Sequence, residues 1–397
     1  MPAPPLEGVR ALDVSQVMAG PFCCQLLGDM GADVVKVEKP AGGDDSRRMA
    51  PPFIGPESAA FLAVNRNKRS LALDLKLEEG REVFRRLASR ADVVVDGFRP
   101  GVLDRLGVGW ERLRAARPEL VYCSISGFGA TGPYRERGGF DLVAQGMSGL
   151  MSVTGHPGQP PVKVGVPIAD LNAGLLAAWG ILCAYLHRLR TGRGQLVDTS
   201  LLEAGIAYTF WESSVYFATG RPPPPMGSAH RLAAPYQAFR TADGYLTLGA
   251  ANQATWEKLC RALGRPDLAA DPRFRDNPSR TVRAAELAGE LERIFSGRPT
   301  ADWLRRLDEA GVPAGPVNDM AAVYADPQVR ARRMMEEVEH PTAGRVKSIG
   351  MPVKLSETPG AIRRPAPTLG QHTDEILREL GLSDAEIAEL RRSKAVA

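Results

Sequence analysis

Val9-Arg10-Ala11-Leu12-Asp13-Val14, then Ser15-Gln16-Val17-Met18-Ala19-Gly20-Pro21, then Gly31-Ala32-Asp33-Val34-Val35-Lys36-Val37-Glu38: these three pieces decide the fold. The first reads as a buried strand. The second is a loop that opens a helix from about Pro21 to Met30, with Pro at the first helical position and Gly31 as the stop. Asp33 to Val37 is a second strand, ending in Glu38-Lys39-Pro40. Strand, helix and strand in this rhythm specify a right-handed βαβ unit on a parallel sheet. Dinucleotide-binding units also carry an acidic residue after the second strand. Here, however, the loop has one Gly before a Pro instead of G-x-G-x-x-G, so a pyrophosphate could not approach the backbone in that way. A nicotinamide-dependent dehydrogenase is disfavoured.

Two more αβ rounds follow, a helix near Glu78–Ala88 with strand Asp92–Asp96 and a helix near Leu113–Arg117 with strand Leu120–Ser124. The fold class is therefore α/β. Basic residues stand beside the strand ends in Asn65-Arg66-Asn67-Lys68-Arg69-Ser70 and in Gly97-Phe98-Arg99-Pro100-Gly101-Val102-Leu103-Asp104-Arg105. Most such charges face solvent, but several clusters at one sheet edge would suit a polyanionic ligand. Ser126-Gly127-Phe128-Gly129-Ala130-Thr131-Gly132-Pro133 is rich in glycine yet lacks the Gly-Lys-Ser/Thr ending of a P-loop.

At 397 residues, two domains are expected. The run Arg221-Pro222-Pro223-Pro224-Pro225 is a stiff, extended linker and the best boundary. Beyond it, Tyr236–Arg240 and Tyr245–Ala250 read as strands joined by Thr241-Ala242-Asp243-Gly244. Helices at Trp256–Leu263, Arg283–Phe295 and Ala301–Ala310 complete a small α+β domain. Ser383 with Glu386 forms a capping box near the end.

Fifty basic against 46 acidic residues leave a net charge of +4, too balanced for a dedicated nucleic-acid binder. The five cysteines have no CxxC spacing and read as buried reduced thiols of a cytoplasmic protein. The five histidines form no metal-ligand pair, so no metal site is expected. No secretory signal is visible, and the apolar run Leu171 to Leu186 reads as a core helix, too short to cross a membrane.

That run is preceded by Val166-Pro167-Ile168-Ala169-Asp170. Asp170 stands where a helix N-cap belongs. The same geometry would keep its carboxylate ionised and let it serve as a nucleophile, with N–H groups near developing negative charge.

The motifs together resemble the class III CoA-transferases, the family of formyl-CoA and carnitine CoA-transferases. The matching stretches run in order along nearly the whole chain. They are Leu12-Asp13 with Ala19-Gly20-Pro21, Gly31 to Glu38, Asn67 to Ser70, Asp92 to Arg105, Ser126-Gly127-Phe128, Asp141 to Gly149, Asp170 with Gly174, Thr191-Gly192-Arg193-Gly194-Gln195, and Leu369 to Glu375. Gly227-Ser228-Ala229-His230, Pro235 to Phe239 and Glu339 to Gly344 look like the branch that exchanges CoA between succinyl-CoA and dicarboxylates such as glutarate and malate.

The resemblance implies that Asp170 is the nucleophile, passing through an aspartyl anhydride and an aspartyl-CoA thioester. CoA and acyl-CoA would be substrates, with no tightly bound cofactor. CoA contacts carry over to Met18, Ala19, Lys39, Leu73, Lys76, Phe98 and Arg105. Gln16, Phe140 and Asp141 would face the reacting acid. His230 or Arg231 either holds the distal carboxylate of a dicarboxylate or orders the linker. Asp141 either holds a proton near the anhydride or caps the helix it begins.

Gln16 and Met18 depart from the histidine and glutamine of formyl-CoA transferase, and Gly97 and Gly138 from its asparagine and lysine, which puts formate and oxalate in doubt. The rival is an α-methylacyl-CoA racemase, which needs a His where Phe140 stands. A non-catalytic CoA-binding subunit is a third reading.

The implied organisation is a large Rossmann-like domain with a parallel sheet and a smaller α+β domain, in an interlocked, ring-like homodimer. Its first part would be 1–205, followed by a helical and proline-rich linker at 206–231, the small domain at 232–320, and a return to the large domain over 321–397. Expected partners are an acyl-CoA and a small carboxylic acid, with no nucleic acid and no membrane.

Overall fold

The computed structural model describes residues 3–397. The chain divides into two compact units, one of 1–150, 163–214 and 327–397, the other of 151–162 and 215–326. These divisions differ from those expected at 205, 231 and 320. Phe210–Thr219 is one continuous helix, so the division falls within hydrogen-bonded backbone, and the proline run lies inside the second unit.

In the first unit the chain runs β1 (Arg10–Val14), α1 (Ala19–Asp29), β2 (Asp33–Glu38), β3 (Lys68–Ala72), α2 (Glu78–Ala88), β4 (Val93–Asp96), α3 (Val102–Arg105), α4 (Trp110–Ala116), β5 (Val121–Ser126), α5 (Asp141–Met147), α6 (Ile168–Thr191), β6 (Leu196–Ser200) and α7 (Leu201–Ala207). The six strands form one sheet in the order β3-β2-β1-β4-β5-β6, and every neighbouring pair is parallel. This is the doubly wound order, whose reversal between β1 and β4 leaves a crevice at the strands' carboxyl ends.

Side chains alternate across the sheet as the strand period of two requires. Leu12, Val35, Leu71 and Val94 pack with Phe84 and Leu87 of α2 on one face. Ala11, Val34, Val93, Val95 and Val121 pack with Cys23 and Leu27 of α1 and with the buried side of α6 on the other.

The helix α6 departs from the sequence reading in two ways. It extends beyond the apolar run to 24 residues, long and apolar enough by length and composition to cross a membrane. Its buried side is made of small residues, Ala169, Ala173, Gly174, Ala177 and Ala184 among them. A side chain at Gly174 would lie 2.6 Å from the Ala19 carbonyl oxygen, so α1 and α6 touch backbone to backbone. The large residues Leu175, Trp179, Leu182, Leu186 and Leu189 point outward and are exposed. Cys183 is exposed as well, whereas the other four cysteines are buried as expected.

The basic cluster at 66–69 is neither solvated nor available to a ligand. Arg66 is paired with Asp29, Lys68 with Asp13, and Arg69 with Asp33, Glu375 and Glu379, all three cations being buried. Charges removed from water persist only when paired in this way.

The β3 edge is braced by chain from the far end of the sequence. His372 N–H donates to the Ser70 carbonyl at 3.0 Å, and Ala72 N–H donates to Thr373 Oγ1 at 3.2 Å. Asp74 N–H donates to the Ala395 carbonyl at 2.8 Å, beside an antiparallel bridge between Leu73 and Val396. An edge covered in this way offers no template to another chain. The Ser383–Glu386 capping box forms as expected.

In the second unit, β7 (Tyr236–Arg240), β8 (Tyr245–Gly249) and β9 (Ala314–Pro316) form an antiparallel sheet in the order β9-β8-β7. Its core joins Phe239 and Leu246 to Trp256, Leu291, Phe295, Trp303 and Leu307 of the helices.

Candidate active site

The loops after β1 and β4 meet at the crevice. The β1 loop is held in an unusual shape: Val17 has φ = 70°, a conformation a β-branched residue adopts only when its surroundings impose it. Asp44 imposes it, accepting from the Val17 N–H at 3.1 Å. Asp44 is itself fixed by Ser46 and by the fully buried Lys36 at 2.8 Å, whose ammonium also donates to the Ser15 carbonyl. Beneath them Asp13 lies 2.8 Å from Lys68 and 3.6 Å from Lys36. Burial works against Asp13's charge, but the two ammonium groups outweigh it and hold the carboxyl far below the usual range.

On the other side of the crevice Asp96 accepts from the Phe98 N–H and the Tyr122 hydroxyl, at 2.8 and 2.9 Å. Burial pushes Asp96 up to about 6. The backbone at Phe98 is thus fixed from the end of β4.

Two cavities adjoin here, and Gln16 and Phe98 line both. One, of about 210 Å³, is an apolar slot of Val37, Leu73, Leu75, Leu103 and Leu106, with Lys39 and Lys76 at its rim. The other, of about 400 Å³, is lined by Met18, Ala19, Phe140 and Asp170 and by two arginines, Arg99 and Arg137. Gly127 and Gly139 form part of its wall, where their backbones cross; a side chain at Gly127 would lie 2.7 Å from the Gly139 Cα. No histidine lines this cavity among the described residues.

Asp170 sits in the first turn of α6, two residues past the first helical position, so it is not the N-cap; that place belongs to Pro167, which has no side-chain acceptor. The capping is done by Asp141. Its carboxylate accepts from the N–H groups of Ala169 at 2.9 Å and Asp170 at 3.4 Å, and from the Gln145 amide at 2.6 Å. Asp141 therefore caps a helix 28 residues further along and not the one it begins.

Asp170's own carboxylate accepts no hydrogen bond among the described residues. Burial first, and the charge of Asp141 second, push it up to about 7. The carboxylate expected to stay ionised is instead poised near neutrality, a common state for a group with chemical work to do.

Gln16, Met18, Ala19, Phe98, Phe140 and Asp170 are thus brought together, and Lys39, Leu73 and Lys76 gather in the adjoining slot. Arg105 ends α3, is exposed, and lines neither cavity. His230 and Arg231 belong to the second unit. There the His230 ring meets Tyr236 edge to face at 5.2 Å and Arg231 donates to the Pro224 carbonyl.

Sequence reasoning gave Arg137 no role and placed Arg99 only in a basic cluster beside a strand end. Arg137 lies over the rings of Tyr134 and Phe128, 4.6 and 5.7 Å from their centroids. The end of Arg99 crosses Gly138, where a Cβ would come 2.7 Å from its Nη2. Arg99 thus occupies the space next to the glycine noted as replacing a lysine.

The model of CoA-transferase family III matches residues 6–373. The chain belongs to this family. It is 41% identical to the succinyl-CoA:glutarate CoA-transferase of Homo sapiens over 387 residues, 97% of this chain and 88% of that one. It is 42% identical to the succinyl-CoA:mesaconate CoA-transferase of Haloarcula hispanica, over 95% of this chain and 96% of that one. A crystal structure of a CAIB/BAIF family protein from Brucella suis superposes with a TM-score of 0.85 at 40% identity, covering 96% of this chain and all of the other. The chain is a class III CoA-transferase, an enzyme whose substrates are CoA thioesters. The racemase reading is not favoured, in keeping with a cavity that offers no imidazole.

Proposed function

We propose that this enzyme exchanges CoA between succinyl-CoA and a second dicarboxylic acid, with Asp170 as the covalent relay. The observation that carries the reading is the placement of one carboxylate, free of protein hydrogen bonds, in a cavity that shares Gln16 and Phe98 with an apolar slot whose lining includes Lys39 and Lys76. The slot formed by Leu73, Leu75, Leu103 and Leu106 suits an adenine ring, and Lys39 and Lys76 suit phosphates. The pantetheine arm then passes between Gln16 and Phe98 and delivers its thioester to Asp170.

Asp170 attacks the acyl carbonyl, the C–S bond breaks, and an acyl-aspartyl anhydride forms with CoA thiolate as leaving group. The thiolate attacks the aspartyl carbonyl, releasing succinate and leaving an aspartyl-CoA thioester. The acceptor carboxylate attacks that thioester, forming a second anhydride and again a thiolate. Attack of the thiolate on the new acyl carbonyl gives the product acyl-CoA and restores the Asp170 carboxylate. Each step exchanges one activated acyl bond for another, so covalent relay divides a nearly isoenergetic exchange into small barriers.

The same reading includes a homodimer, interlocked as the family resemblance implies. Leu175, Trp179, Leu182, Leu186 and Leu189 recur at spacings of four and three along α6, and an exposed apolar stripe of this kind suits a second protein surface.

The test is incubation with succinyl-CoA and a pool of mono- and dicarboxylic acids, with new acyl-CoAs read by mass spectrometry. A new dicarboxyl-CoA, absent with Asp170→Ala, is the expected result. Transfer that persists in Asp170→Ala, or no transfer to any acid, overturns the proposal.

A further inference from the structure

We infer that Arg137, supported by Arg99, determines acid specificity by binding the distal carboxylate of the dicarboxylate while the proximal one reacts at Asp170. The inference rests on the transferase reading above and adds the residue that selects the acid.

Three observations converge on it. First, Arg99 and Arg137 line the same cavity as Asp170, whereas Lys39 and Lys76 line the adjoining slot. With the phosphates of CoA held at the slot, the cations of the reaction cavity are left to face the acyl group and the acid. Second, neither arginine has a carboxylate partner among the described residues. Arg66 and Arg69, by contrast, are both neutralised by acids. Asp45, the other carboxylate lining the cavity, is already held by Lys39 and Arg48 at 2.7 Å each.

Third, Arg137 is preorganised. Its guanidinium lies over Tyr134 and Phe128, whose rings meet edge to face at 5.8 Å. A stacked guanidinium keeps its N–H edge free, and that edge matches a carboxylate with two parallel hydrogen bonds. Arg99 reaches the same place across Gly138, which has no side chain to keep it away. A monocarboxylic acid would leave both cations unmatched, so the site selects against it.

The sequence-based candidates for this role, His230 and Arg231, have contacts of their own within the second unit, to Tyr236 and to the Pro224 carbonyl.

The experiment compares glutarate with its monomethyl ester, which has the same reach but a neutral far end, as acceptors from succinyl-CoA. In a two-step exchange kcat/KM for the acceptor reports only the acceptor's half-reaction, so effects on the donor do not enter. The wild type is expected to prefer glutarate by about 10- to 100-fold, the range of a hydrogen bond to a charged group. Arg137→Gln is expected to bring that ratio close to one, and Arg137→Lys to restore part of it. CoA affinity, read by calorimetry, should stay within about twofold and confirms that the variant is folded.

A ratio that survives in Arg137→Gln, or a wild type with no preference, overturns the inference while leaving the transferase intact. A fall in CoA affinity with the ratio unchanged assigns Arg137 to CoA and overturns it equally. A wild type that transfers to neither acid overturns the underlying reading as well.

Discussion

The Asp141 carboxylate accepts from the backbone N–H of Asp170, so the group that caps α6 also places a negative charge beside the Asp170 carboxyl. Capping and tuning are done by one side chain. Asp141→Asn keeps an oxygen for the cap and removes the charge. Its expected effect is on the pH profile: the acid limb of kcat/KM moves below the wild-type value while the fold persists. Asp141→Ala loses the cap too, and should lower stability by about 1 kcal/mol in urea titration.

Asp170 itself sets the wild-type profile. In the proposed relay it attacks only when ionised, and burial with Asp141 pushes it up to about 7. Activity should therefore rise with pH through about 7 and level off above it. Stability should move the other way. A carboxyl whose folded value lies above its unfolded one favours the protonated state, so stability falls as pH rises from about 4 towards 7. Asp170→Asn should abolish transfer and remove that fall, melting higher than wild type at pH 8. Equal melting temperatures at pH 8 would mean that the carboxyl is not destabilised by its site.

Phe98 lines both cavities and is pinned through its N–H to Asp96. Truncation to alanine removes the wall that a pantetheine arm would pass. CoA affinity measured by calorimetry is expected to fall about tenfold, equivalent to about 1.4 kcal/mol. Unchanged affinity would move the CoA path away from this residue.

Asp13 pairs with the buried Lys68 and, at longer range, with the buried Lys36. Asp13→Ala strands Lys68 and leaves Lys36 to Asp44 alone, and removing one member of a buried ion pair typically costs about 3–5 kcal/mol. The loss should be visible as a shift of the urea midpoint. Because Asp13 is held below its unfolded value, its contribution is present near neutral pH and disappears as pH falls below the ordinary carboxylate range. Asp13→Ala should therefore differ from wild type less in acid than at pH 7.

On the outer side of α6, Trp179 is 66% exposed at the centre of the apolar stripe. Trp179→Glu should yield monomers in sedimentation, with the first unit still folded by circular dichroism. A wild type that already sediments as a monomer would remove the dimer from the proposal.

Much of the fold was legible because it is local. Apolar runs, the Gly31 stop and the αβ rhythm each lie within a few residues of the structure they specify. What escaped was set by partners far along the chain. The aspartate that caps α6 comes from Asp141, and no local signal at Asp170 could reveal a cap already supplied. Lys36 and Lys68 look like surface residues by type, and only their pairing with Asp44 and Asp13 explains their burial. Family resemblance singled out Asp170, Gln16 and Phe98, which line one cavity. Arg137 was not singled out, because its placement depends on two rings that fold back over it from the preceding loop.

The pairing of Leu73 with Val396 also bears on how the protein is made. The slot wall that Leu73 belongs to emerges early from the ribosome, but the segment that braces it is translated more than 300 residues later. At 5–20 residues per second this is a wait of roughly 15–60 s. Throughout it the β3 edge is an open strand on a nascent chain, although the residues that line the slot are all translated by Leu106. A stalled or truncated product therefore keeps an uncovered β3 edge, whose unpaired backbone groups can template pairing with another chain.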